Sequence, residues 1–137
     1  MSFVLDASAT LAWYFQEEQT ADSEKILDQV AISGAVVPLI WRYEVANGLL
    51  VAVRRGRIAA GYRDASLADL DRFPITIDRD GVDGVAWTAT LALADRSGLT
   101  VYDAAYVELA RRRGLPLASR DRAMRVAAQS LAIELVG

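Results

Sequence analysis

FVLDASAT, residues 3–10, sets three apolar residues together, stops them with a carboxylate at Asp6, and passes into residues that favour a helix. A short unbroken apolar run with a polar stop reads as a strand buried on both faces. Asp121 stands in the same situation, just after PLAS (116–119). Further strands are predicted at AVVP (35–38), ITI (75–77) and AIELV (132–136). Helical spacing covers 8–18, 20–32, 39–53, 59–73, 81–98, 102–113 and 121–130, and Pro38, Pro74 and Pro116 mark changes of segment type. Strands that alternate with helices imply an α/β fold, with a mostly parallel central sheet of four to five strands and helices on both faces. No linker, low-complexity tract or repeat divides the 137 residues, so one domain over 1–137 is expected. In such sheets, ligands bind beyond the carboxyl ends of the strands, which is where Asp6 stands.

The composition narrows the chemistry. Cysteine and histidine are both absent, which excludes disulfides, thiolate nucleophiles, imidazole-based triads and nearly every transition-metal site. Carboxylate chemistry, with or without a hard metal ion, is what remains. The net charge of −3 argues against attraction of the whole molecule to polyanions, yet fourteen arginines stand against one lysine, Lys25. They cluster at Arg54, Arg55 and Arg57, at Arg111 to Arg113, and at Arg120, Arg122 and Arg125. Such clusters either bind phosphate through bidentate hydrogen bonds or are solvated helix ends favoured by the helix dipole. The first residues lack the basic region of a secretory signal, and no apolar run approaches the ~20 residues that span a bilayer, so a cytoplasmic protein without membrane contact is expected.

Four acids stand out. Asp6 and Asp121 lie at strand-to-helix junctions, where an aspartate is also a favoured helix N-cap. Glu44 shares a helical stripe with Ile40, Tyr43, Asn47 and Val51; an acid on an apolar stripe must be paired, neutralised or metal-bound, and a Glu–Arg pair would satisfy it too. Asp103 faces inward with Val107 and Ala110 from a first helical turn, a place that favours an acid in any case. Taken together, the four acids come from separate junctions of one parallel sheet and converge on one edge. Four carboxylates stay ionised at close range only with a cation among them, and all-oxygen ligation points to Mg²⁺ or Mn²⁺. Such a site suits hydrolysis of a phosphodiester.

FVLDASATLAWYF, VVPLIWRYEVANGLL, VRRGRI, LTVYDAAYVELARRRGLPLASRDRAM and AIELV, nearly the whole chain, resemble the PIN-domain ribonucleases, and within them the VapC toxins of bacterial toxin-antitoxin pairs. Asp6 with Ser8 resembles the D-x-S start of that family, Glu44 with Asn47 its second acidic element, and Asp103 in YDAAYVELA its most recognisable stretch. Ser119 and Asp121 in LASRDRAM resemble the final element; Ser119 stands where threonine is common, Met124 where leucine is usual, and Arg120 is an unusual residue there.

The resemblance implies a metal-dependent endoribonuclease that blocks translation by cutting a structured transfer or ribosomal RNA. Asp6, Glu44, Asp103 and Asp121 would hold Mg²⁺ or Mn²⁺, Ser8, Asn47 and Ser119 would orient those acids or a water, and Arg54, Arg55, Arg120 and Arg122 would hold the RNA backbone. It further implies a homodimer held inactive by a cognate VapB-type antitoxin, with operator DNA bound only through the antitoxin. A receiver domain or a haloacid-dehalogenase-type phosphatase would share the sheet and the first acid, but both need a late lysine that this chain lacks. A non-catalytic interaction module, with a structural carboxylate network, is the other alternative.

Overall fold

The computed structural model describes residues 2–137, with all side chains except those of Asp83 and Val85; Met1, the first residue of the expected domain, lies outside them. Strands β1 (Phe3–Leu5), β2 (Ala35–Val37), β3 (Ile75–Ile77) and β4 (Leu117–Ala118) form one sheet in the order β3-β2-β1-β4. Every pairing is parallel, with Phe3 opposite Ala35, Val4 opposite both Val36 and Leu117, and Val37 opposite Ile77. A fully parallel sheet must be covered on both faces. Accordingly, every residue of β1, β2 and β4 is buried, while β3 at the edge is partly open. This is the α/β architecture the apolar runs predict.

The helices are α1 (Ala7–Leu11), α2 (Ala21–Ser33), α3 (Ile40–Arg54), α4 (Ala60–Leu70), α5 (Val85–Ser97), α6 (Val101–Arg113) and α7 (Arg122–Ser130). Local signals fix many of their ends. Thr20 and Ser23 form a reciprocal capping box at α2, Thr100 caps α6, and Gly114 closes α6 with φ +65°. Gly48 of α3 lies against α1: a Cβ there would stand 2.5 Å from Leu11 Cδ1, so the Leu11 side chain would have to shift to admit a larger residue.

Three expectations need correction. The helix predicted over 8–18 stops at Leu11, and only a short 3₁₀ turn, Gln16–Glu18, follows. Trp13, Tyr14 and Phe15 are all buried, and three consecutive bulky side chains cannot share one face of a helix, so the chain must leave helical geometry to bury them. The helix predicted over 81–98 is split into a 3₁₀ turn, Asp80–Asp83, and α5, because Gly84 adopts a left-handed φ of +84°. AIELV (132–136) forms no strand. It makes one parallel bridge, Leu117 to Leu135, since β4 is only two residues long and offers nothing further to pair with.

One core joins the sheet to the helices around it, with Tyr106, Leu5, Leu49, Leu109 and Leu117 among its largest fully buried side chains. Among the described residues, no helix is long and apolar enough to cross a membrane.

Candidate active site

Asp6 follows β1 directly and is 2% exposed. Its carboxylate accepts hydrogen bonds from the Ser8 hydroxyl (2.8 and 2.9 Å to its two oxygens), the Ala9 backbone N–H (2.8 Å) and the Ser119 hydroxyl (2.5 Å). The Ala9 bond caps α1, so the capping role that the sequence left open is real. It does not account for the full depth of burial. Desolvation raises the carboxyl to about 6, against the pull of the three donors, and the charge of Asp121 adds to the rise.

Asp121 sits past β4, where its side chain accepts from the Met124 N–H (2.9 Å) and caps α7. Its own N–H donates to Ser119 Oγ (3.0 Å), so one hydroxyl touches both aspartates. Asp103 lies in the first turn of α6, where burial and the charge of Asp121 raise its carboxyl. Glu44 in α3 is raised by burial and by Asp103, and the Tyr106 hydroxyl donates to its Oε1 at 2.5 Å. The four acids form a chain of pairwise repulsions: Asp6 with Asp121, Asp121 with Asp103, Asp103 with Glu44. As the side chains stand, no three described carboxylates close around a single point.

The contrast with Asp78, another acid that follows a strand, is informative. Asp78 is buried and ion-paired to Arg112 (2.6 Å) and Arg113 (2.7 Å), which outweigh its burial and hold its carboxyl below the usual range. Among the described residues, no arginine or lysine pairs with Asp6, Glu44, Asp103 or Asp121. An all-oxygen set of mutually repelling carboxylates without a protein cation fits a small hard divalent ion.

The PIN domain family matches this chain over residues 3–129. The chain belongs to the PIN-domain family, and within it to the VapC type. It is 36% identical over 122 residues to Ribonuclease VapC3 of Pyrobaculum aerophilum, spanning 89% of this chain and 91% of that relative. Among solved structures, the crystal structure of PAE2754 from Pyrobaculum aerophilum is similar with a TM-score of 0.70 and 26% identity, covering 93% of this chain and 79% of that one.

The other residues singled out in the sequence are placed unevenly around the four acids. Ser8 and Ser119 both bond Asp6. Asn47 is exposed and makes no hydrogen bond to a described residue. The apolar stripe expected to carry it is not the buried one: α3 buries Trp41, Val45, Leu49 and Ala52, while Tyr43 is 66% exposed, so Glu44 lies at the margin of the core, where solvent reaches it. Arg54 and Arg55 end α3, about 15 Å along the helix from Glu44 at 1.5 Å per residue. Arg120 lies beside the acids, with its guanidinium on Glu18 (3.0 Å) and its N–H on Ser8 Oγ (3.0 Å). Arg122 is exposed and, with Asp121, Arg96, Leu93 and Val126, lines a cleft of ≈ 690 Å³.

Two features escaped the sequence reading. Glu18 binds Arg57 as well as Arg120, and Arg57 also pairs with Glu17 and lies over the Phe15 ring at 4.4 Å, so a chain of ion pairs borders the site. The bond from the Tyr106 hydroxyl to Glu44 is the second: the sequence sets Tyr106 beside the helix face of Asp103 but gives its oxygen no partner.

Proposed function

We propose that this chain is a metal-dependent endoribonuclease, the toxin of a toxin-antitoxin pair, which acts in the cytoplasm by hydrolysing phosphodiester bonds of a transfer or ribosomal RNA and so halts translation. The observation that carries the reading is the set of four mutually repelling carboxylates at the carboxyl ends of β1 and β4 and on α3 and α6, none of which pairs with an arginine or lysine among the described residues. Asp6, Glu44, Asp103 and Asp121 would hold Mg²⁺ or Mn²⁺. A bound ion of that kind lowers the pKa of a water and offsets charge developing on a phosphoryl oxygen.

The chain's own residues do the rest. Ser8, Ser119 and the Ala9 N–H hold Asp6 in one orientation, while burial in the core keeps it out of bulk water. Ser119 sets the distance between Asp6 and the turn that carries Asp121. Arg120 and Arg122 flank the acids and would receive backbone phosphates, contacts that fix register without reading sequence. Arg54 and Arg55 would touch RNA further along the groove. Ribonuclease VapC3 supports the nuclease reading through its name and its 36% identity. By the same kinship, a cognate VapB-type antitoxin would cover the site, a homodimer would be the working form, and operator DNA would be met only through the antitoxin.

Cleavage of total bacterial RNA by the purified, antitoxin-free chain in Mg²⁺, Mn²⁺ or EDTA tests this, with Asp6→Asn alongside. Discrete fragments that need the metal and vanish in the variant are expected. Absence of both cleavage and Mn²⁺ binding would reduce Asp6 and Asp121 to helix caps and leave a non-catalytic module.

A further inference from the structure

Tyr106 is 1% exposed, and a buried hydroxyl needs a partner. Phenylalanine would fill the same space without that demand, so the oxygen has to be accounted for separately from the ring. It donates to Glu44 Oε1 at 2.5 Å, a bond that joins α6 to α3 across 62 residues of chain. One phenol therefore ties α3 to a helix that itself carries Asp103. Among the described residues, no other hydrogen bond reaches Glu44, so its Oε2 is left without a partner.

Resting on the metal-site reading above, we propose that Tyr106 is a positioning residue: it grips Glu44 by one oxygen and leaves the other for the cation. Glu44 sits at the margin of the core on a long side chain, and without this bond it would sample several rotamers. The hydroxyl removes that freedom before any ion arrives. Outer partners that orient ligands in this way commonly change metal affinity or activity 10- to 100-fold when lost.

The test is calorimetric titration of Mn²⁺ into substrate-free wild type, Tyr106→Phe, Glu44→Gln and the double variant, with circular dichroism confirming that each is folded. Tyr106→Phe is expected to weaken Mn²⁺ binding by about tenfold, and the double variant to bind no more weakly than Glu44→Gln alone, because Tyr106 acts through Glu44. Wild-type affinity in Tyr106→Phe overturns the proposal. So does a double variant that loses the product of the two single factors, which would mark Tyr106 as ordinary core packing. A wild type that binds no Mn²⁺ removes the metal site itself, an outcome distinct from a silent Tyr106→Phe on a binding wild type.

Discussion

The Ser119 hydroxyl donates to Asp6 at 2.5 Å, across 113 residues of chain, and accepts the N–H of Asp121 at 3.0 Å. One oxygen thus couples the first and last of the four acids. Ser119→Ala should lower Mn²⁺ affinity by about tenfold and cost about 1–2 kcal/mol of stability, while Ser119→Thr, which keeps the oxygen, should recover most of both. Equal loss in the alanine and threonine variants would show that size at this position matters and the hydroxyl does not.

Burial holds the Asp6 carboxyl at about 6, above its unfolded value of 3.8. Between those values the folded state keeps a proton that the unfolded state has released, so metal-free stability falls as pH rises from about 4 to about 6 and levels off above that. Glu44 and Asp103, also raised, act in the same direction. The penalty for Asp6 alone is about 3 kcal/mol. Asp6→Asn should therefore be more stable than wild type at pH 7.5 in EDTA, although it loses activity. Urea unfolding across pH 4 to 8 checks this, and a wild type that gains stability over that interval contradicts it.

Mn²⁺ should reverse that penalty in the wild type. A cation that binds only the folded chain adds about 2.7 kcal/mol at a hundredfold excess over its dissociation constant. The shift in melting temperature should be absent in Asp6→Asn. A similar shift in both proteins would place the ion elsewhere.

Asp78 has the opposite sign. Burial would raise it, but Arg112 and Arg113 hold it low, so its contribution is present above its unfolded value and is lost as pH falls through the lower folded one. Asp78→Ala leaves Arg112 with only Glu108 and should destabilise by about 3 kcal/mol. Chemical denaturation at pH 7 gives the number, and Mn²⁺ affinity should stay at the wild-type value, since this pair belongs to the scaffold.

Arg120 is tied to Glu18 on the surface, where such pairs contribute less than about 1 kcal/mol. Arg120→Ala should leave the melting temperature almost unchanged, raise KM for RNA several-fold and reduce the salt dependence of binding by about one phosphate contact. An unchanged KM would return Arg120 to a purely local role with Glu18.

Asp6 and Asp121 were legible because strand, acid and helix follow one another locally and the apolar runs mark the turning points. The parallel sheet was legible for the same reason. The burial of Trp13, Tyr14 and Phe15 was not, because periodicity in that stretch suits a helix until the core claims all three rings. Glu44 was found by type, yet its buried neighbours lie on a different stripe of α3, and its partner Tyr106 is 62 residues away. Hydrogen bonds between distant segments leave no pattern in a local window, and the same holds for Glu18 with Arg120.

The order of assembly has a consequence for synthesis. β4 is the last strand, two residues long, and it alone brings Ser119 and Asp121 beside Asp6. A growing chain from which β4 has not yet emerged lacks two of the groups placed around Asp6, although β1, β2 and β3 have already emerged. Parallel pairing of β4 with β1 is thus the step that completes the cluster around Asp6, and a growing chain carries only part of that cluster before it.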